Sequence, residues 1–255
     1  MRRHPGRSGL GRCTRGAAQP LTTTQFAGPR RQGAALLSGE PAVSLKAAII
    51  PVTPFEQNCA LLWDDVTMEG VVVDPGGDVP RIRQAIAQHG VTVTAILITH
   101  GHMDHAGGAG ELRAALGVPV EGPHTADRML LDNLAKQASA YGLPPARDLV
   151  PDRWLAEGDT VRIGGDEFAV LHCPGHAPGH VVFVSTALKL AIVGDVLFRG
   201  SIGRTDFPYG DHAALLDAIH NKLMPLGDDM RFLCGHGPGS DFGTERRSNP
   251  FLGPD

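Results

Sequence analysis

The run 95-AILITHGHMDHAGG-108 passes within a few residues from an apolar, β-like stretch to three histidines and an aspartate, His100, His102, Asp104 and His105. Side chains alternate along an extended strand exit, so His100 and His102 point the same way. The chain turns past Met103, and Asp104 and His105 then reach the other side of one pocket. Imidazole and carboxylate at this density suit zinc or a similar first-row ion. A plain polar loop before a helix does not call for four ligand-type residues in six positions, nor for the following 106-AGGAG-110, which lets backbone approach closely.

Working outward, short β-like runs recur at 47–52, 59–63, 71–74, 95–99, 168–173, 181–185, 190–195 and 231–235, each bounded by Gly, Pro, Asn or Asp. Helical spacing appears at 80–89, where Ile82, Ala85, Ile86 and His89 share a face and Pro80 suits a first turn. It recurs at 211–223, with Leu215, Leu216, Ile219 and Leu223 on one stripe behind an N-capping Asp211. Strands mixed with helices imply layers of sheet and helix around one core, with a site on the loops that leave the strand ends. Three such loops carry further ligand-type residues. In 172-HCPGHAPGH-180 glycine turns place His176 at a strand exit, with His172 and His180 as neighbours better suited to supporting a ligand than to being one. Asp195 ends the apolar run 190-LAIVG-194, where an unpaired carboxylate is costly unless a cation neutralises it. His236 stands between glycines in 231-RFLCGHGPGS-240. Singly each reads as a cap or turn residue; together they complete two sites.

Composition narrows the function. The chain has 255 residues, long enough for one catalytic domain with a sizeable core. Seven of its 23 Lys and Arg lie in residues 1–42, where the only acid is Glu40, so residues 43–255 carry 16 basic against 26 acidic residues. Such an acidic body is a poor partner for nucleic acid. No apolar run approaches the roughly 20 residues of a membrane span. Cys13, Cys59, Cys173 and Cys234 form no C-x-x-C pair, which fits a reducing compartment, the cytoplasm. Residues 1–42 are Arg-, Gly- and Pro-rich without apolar period and are expected to be disordered, either an over-extended start, with Val43 a candidate initiation residue, or an organelle transit peptide. Residues 43–255 are the catalytic domain.

The ordered motifs THGHMDH, CPGHAPGH, GDVLF and GHGP, with 53-TPFEQNCALLW-63, 71-VVVDPGGD-78, 200-GSIGRTDFPYGDH-212 and 245-ERRSNPF-251, resemble the metallo-β-lactamase superfamily, specifically its hydroxyacylglutathione hydrolases, or type II glyoxalases. The likeness spans about residues 46–253. It implies an α/β fold, an αββα sandwich of two mixed β-sheets with outer helices. It also implies two divalent metal ions, zinc by preference with iron or manganese as alternatives: one held by His100, His102 and His176, the other by Asp104, His105 and His236, with Asp195 bridging both. The implied reaction is hydrolysis of S-2-hydroxyacylglutathione, such as S-D-lactoylglutathione, by a hydroxide that the metals generate. The thiolate leaving group, with a free-thiol pKa of about 8.5, needs no protein acid.

Only 19 residues follow His236, whereas full-length type II glyoxalases carry a C-terminal helical domain that contacts glutathione; the chain resembles the short, single-domain branch. Arg204 is the candidate for a substrate carboxylate, because guanidinium pairs bidentately with it, and a structural Arg204–Asp206 pair is the competing expectation. Among rival functions, a glutathione persulfide dioxygenase with a single iron stands first, since 203-GRTDF-207 also resembles that branch; His236 argues against it by completing a second metal site. A lactonase or β-lactamase activity survives at the level of the fold. An RNA nuclease and a non-catalytic binding module are disfavoured.

Overall fold

A computed structural model describes residues 22–27 and 44–253. In chain order the strands are β1 (Thr22–Ala27), β2 (Ser44–Val52), β3 (Gln57–Asp64), β4 (Glu69–Val73), β5 (Thr92–Leu97), β6 (Val120–Glu121), β7 (Thr160–Ile163), β8 (Asp166–His172), β9 (Val181–Ser185), β10 (Leu190–Gly194), β11 (Leu197–Phe198), β12 (Ser201–Ile202), β13 (Arg231–Cys234) and β14 (Ser240–Asp241). The helices are α1 (Val79–His89), α2 (Met103–Ala106), α3 (Ala109–Leu116), α4 (Arg128–Leu131), α5 (Leu134–Ala140), α6 (His212–Ala218) and α7 (Phe242–Ser248). One sheet has the order β1-β2-β3-β4-β5-β6, the other β14-β13-β10-β9-β8-β7, and β11 and β12 form a separate hairpin.

Side-chain alternation along the buried strands explains the layering. Val71 and Val73 of β4 pack between the two sheets with Leu97, Phe168 and Phe183, while Val72 faces the opposite way onto Ile82 and Ala85 of α1 and Leu112 of α3. On β9, Val181 and Phe183 join the layer between the sheets, whereas Val182 and Val184 meet Leu215 and Ala218 of α6. Strands that are apolar on both faces must be covered on both, and the result is helix, sheet, sheet, helix. The expected αββα sandwich is the observed fold.

Parallel strand pairing positions the site. β4 runs parallel to β5, and β10 to β13; β8 shares the direction of β10 because each is antiparallel to the intervening β9. The carboxyl ends of strands that share a direction open on the same edge of their sheet. Cross-links between the sheets at that edge hold the two sets of loops together: Asn58 N donates to Gly235 O (2.7 Å), Asn58 Nδ2 to Cys234 O (3.0 Å), and Val181 N to Thr99 O (2.8 Å).

All eight expected strands are present with ends shifted by up to three residues, and Thr99, Cys173, Asp195 and Gly235 lie just past theirs. The helix expected over 80–89 is α1; Val79, Ile82, Ala85 and Ile86 are buried, and His89 lies against Trp63 with ring centroids 4.8 Å apart. The stretch 211–223 divides into α6 and a wider turn at Ile219–Leu223, with Asp211 capping Ala214 N at 2.9 Å.

One expectation is corrected. Residues 1–42 are expected to be a disordered leader or an over-extended start, yet Thr22–Ala27 pair antiparallel with β2, from Thr22 opposite Ile49 to Ala27 opposite Ser44. Phe26 is buried in the layer between the sheets, with the Arg231 guanidinium over its ring at 4.5 Å. The alternation in TTTQFA is too short and too polar to register as periodicity, and the neighbouring edge of β2 supplies the pairing. The rest of that leader lies outside the described residues. A chain beginning at Ser44 is therefore expected to fold and keep its activity but to melt about 5–10 °C lower, since burial of one Phe is worth about 2–3 kcal/mol. Calorimetry of the shortened chain checks this; an unchanged melting temperature would show that β1 contributes nothing to the core.

Candidate metal centre

Seven residues expected to act together come from four loops and meet at the sheet edge. His100 Nε2 lies 2.9 Å from His102 Nδ1, which lies 3.0 Å from His176 Nε2. Three nitrogens this close, each offering a lone pair, suit a single ion: donors about 2.0 Å from a tetrahedral centre are about 3.3 Å apart. A second group joins Asp104, His105 and His236; Asp104 Oδ2 is 3.4 Å from His236 Nε2 and 4.0 Å from His105 Nε2. Asp195 stands between the groups, with Oδ1 3.3 Å from His105 Nε2 and Oδ2 3.5 and 3.6 Å from the Nε2 atoms of His176 and His236.

The residues fit metal ions on two observations beyond their spacing. His105 Nε2 and Asp195 Oδ1 are both buried and face one another without making a hydrogen bond, a costly arrangement that a shared cation relieves. Gly235 completes the cradle: a Cβ there would sit 2.0 Å from Asp195 Oδ1 and 2.5 Å from the His105 ring, so any side chain would fill the space where ligands converge. The protonation states agree. Burial, reinforced by the neighbouring His105, holds His100 far below the usual imidazole range, and burial beside His176 lowers His102 to about 3. Both rings are thus neutral and ready to coordinate. Burial opposes ionisation of Asp195, but the charges of His105, His176 and His236 hold its carboxyl far below the ordinary range. His105 moves upward: burial disfavours its charged form, yet the charges of Asp195 and Asp104 prevail. Without an ion a buried imidazolium has to balance these carboxylates, and a divalent cation can take over that role.

Supporting contacts fix which nitrogen each ligand presents. Asp74 Oδ2 accepts from His105 Nδ1 at 2.9 Å and from the Thr99 hydroxyl at 2.6 Å, Asp74 Oδ1 accepts from Thr99 N at 2.7 Å, and Thr99 Oγ1 accepts from His100 Nδ1 at 3.1 Å. One carboxylate therefore orients a ligand of each group. His176 Nδ1 donates to Arg204 O (2.9 Å), and His102 Nε2 donates to the Tyr209 hydroxyl (2.8 Å). Asp127, fully buried, accepts from Gly101 N and Gly179 N and so ties the His100–His102 loop to the His176–His180 loop; burial raises its carboxyl to about 7 against the pull of those two donors. His180 accepts from Asp195 N (3.0 Å) and stacks on His100, so it touches two members of the set, whereas His172 donates to Pro178 O (2.8 Å) and touches none of them.

Sequence reasoning missed Asp74, Asp127 and Tyr209. Asp74 carries the same signal as Asp195, an acid directly after a buried apolar strand. Asp127 and Tyr209 sit in polar loops without such a signal. The competing expectation for Arg204 is realised: Nε and Nη2 bind Asp206 at 2.7 and 2.8 Å, and the guanidinium lies 4.4 Å from the Phe207 ring centroid. Burial pushes the thiols of Cys173 and Cys234 up to about 12, so neither is a thiolate nucleophile. A cleft of about 810 Å³ opens onto the centre; His102, Asp104, His176, Asp195 and His236 face it, whereas His100 and His105 are fully buried behind.

A four-layer αββα sandwich with His/Asp clusters at one sheet edge defines a class, and comparison with known proteins agrees. Residues 52–236 match the model of the metallo-beta-lactamase superfamily, and the chain belongs to that family. It is a metal-dependent hydrolase. It is 46% identical over 205 residues to the hydroxyacylglutathione hydrolase GloC of Haemophilus influenzae, covering 80% of this chain and 96% of that protein. Among solved structures it is similar to the BLEG-1 B3 metallo-beta-lactamase, with a TM-score of 0.74 and 38% identity over 82% of this chain and 99% of the other. It is likewise similar to TTHA1623 in a di-iron-bound form, with a TM-score of 0.72 and 37% identity over 80% and 99% of the two chains.

Proposed function

We propose that the protein hydrolyses S-2-hydroxyacylglutathione thioesters, of the S-D-lactoylglutathione type, to a hydroxy acid and glutathione. The observation that carries this reading is the pair of adjoining donor groups joined by Asp195, a set made for two divalent ions. When bound, such ions would supply the Lewis acidity that makes hydroxide available near neutral pH and that polarises a carbonyl under attack. The protein's own groups do the rest. His100, His102 and His176 would hold one ion, and Asp104, His105 and His236 the other. Asp74 and Tyr209 keep the ligand tautomers in place. The open face of the centre, toward the cleft, admits the acyl group, and the departing thiolate is stable enough to leave without a proton donor. The 46% identity to GloC supports the same substrate class. Zinc suits the His/Asp donors, and iron or manganese are compatible with them. Cytoplasmic location is part of this proposal, consistent with buried, unpaired Cys59, Cys173 and Cys234.

The reading is tested by metal analysis of protein made in defined medium, paired with turnover of S-D-lactoylglutathione with and without air. Equal rates in both conditions are expected, together with a strong loss in His236→Ala, which removes one ligand of the second group. Oxygen uptake driven by glutathione persulfide, with one iron per chain and negligible thioester cleavage, would replace the hydrolase by a dioxygenase. A β-lactam cleaved far faster than the thioester would favour the activity named for BLEG-1.

A further inference from the structure

The body of the chain is acidic, but the cleft beside the metal centre has the opposite sign. Residues 43–255 carry 16 Lys and Arg against 26 Asp and Glu, so an average groove on this surface would repel anions. Among the described residues, the acids facing the cleft are Asp104 and Asp195, whose oxygens point at the ligand histidines, whereas Lys136, Arg199 and Arg204 all face it. Arg204 is already engaged by both oxygens of Asp206 and by the Phe207 ring. Lys136 and Arg199 have no ion-pair partner among the described residues.

These two cations line the cleft from different, well-anchored elements. Lys136 lies on α5, where the next residue, Gln137, donates from Nε2 to Gly101 O (3.3 Å), between His100 and His102, and to Leu130 O (2.8 Å). Arg199 occupies the turn of the β11–β12 hairpin. Buried Glu245 anchors that turn by accepting from Gly200 N (2.7 Å), and Asn249 Nδ2 holds it by donating to Ser201 O (3.0 Å). Phe198, adjacent to Arg199, has its ring 6.3 Å from that of His236. The two cations thus enter the cleft from different elements, α5 and the β11–β12 turn, whose adjoining residues Gln137 and Phe198 lie near the first and the second donor group.

We infer that Lys136 and Arg199 form a split anion-reading pair that selects thioesters whose thiol portion carries carboxylates at both ends. The inference rests on the thioesterase reading and goes beyond it by naming which residues of this chain recognise the leaving group. A tripeptide thiol with its sulfur in the middle holds its terminal carboxylates apart, which matches two separated cations better than a single clamp. Contacts of this exposed kind are individually modest and are screened by salt.

The test compares S-D-lactoylglutathione with S-D-lactoyl-N-acetylcysteamine, which has the same acyl group on an uncharged thiol. Both esters are assayed with the unaltered protein, Lys136→Ala, Arg199→Ala and the double variant Lys136→Glu/Arg199→Glu, at low and high ionic strength. For the glutathione ester, KM is expected to rise about threefold to fivefold for each alanine and about tenfold or more for the double reversal, with kcat within about twofold. Salt should raise the same KM. The uncharged ester should respond to neither. Equal responses of the two esters, or no response of either, would overturn the pair while leaving the thioesterase intact. Failure of the unaltered protein to cleave either ester would overturn both.

Discussion

Replacing Asp195 with Ala is expected to remove most of the bound metal and, with it, roughly a thousandfold or more of thioester turnover. Among the described residues, Asp195 is the one side chain with oxygens within 3.6 Å of ligand nitrogens in both groups. Its loss leaves neither set complete, and it also removes the negative charge that balances His105. Asp195→Asn is the informative companion, since it preserves size and hydrogen-bonding surface but not charge. If charge balance is the main effect, Asn should behave like Ala. Elemental analysis and kinetics on the same samples decide the matter, with circular dichroism confirming that the fold persists. A variant holding two equivalents of metal with normal turnover would place Asp195 outside the centre. The linkage to pH has a definite sign: because the folded-state pKa of Asp195 is depressed, its contribution is present above the unfolded value of about 3.9 and is lost as pH falls through the folded value.

Asp74→Asn should weaken metal binding by about 10- to 100-fold without changing any first ligand. His100 and His105 offer Nε2 to the centre only if Nδ1 carries the hydrogen, and the Asp74 carboxylate secures both, directly at His105 and through Thr99 at His100. An amide in its place turns an NH₂ either toward Thr99 N or toward both the Thr99 hydroxyl and His105 Nδ1, so at least one donor loses its acceptor and no charge is left to secure the rings. Asn is the proper substitution because Asp74 has φ 50, a left-handed conformation that Asn tolerates and Ala does not. Competition with a chelator measures the affinity. An unchanged dissociation constant would show that the tautomers do not depend on this carboxylate.

Every residue of the seven-membered donor set was legible in the chain because each announces itself locally. A polar, ligand-type side chain directly after an apolar run, with glycines beside it, is expensive in a folded protein unless something compensates it. The same local rule locates the eight strands, since β-branched runs bounded by turn residues depend on neighbours only for pairing. Strands mixed with helices implied layers around one core, and the ordered motifs pointed to the family, whose resemblance implied the two sheets.

Tertiary structure decided the features whose energies come from residues distant in sequence. Thr22–Ala27 becomes a strand because β2 offers a free edge and the layer between the sheets has room for Phe26. Asp74 becomes the orienting carboxylate because β4 and β5 are parallel neighbours, which brings it against Thr99 and His105. Asp127 lies 26 residues from one loop it ties and 52 from the other. Arg204 is bound by Asp206 two positions away, yet its carbonyl orients His176, 28 residues earlier. Backbone periodicity and local chemistry identify which residues can act as ligands. Hydrogen bonds that determine their tautomers, and the charge of the cleft they face, depend on which strand ends the fold brings to one edge.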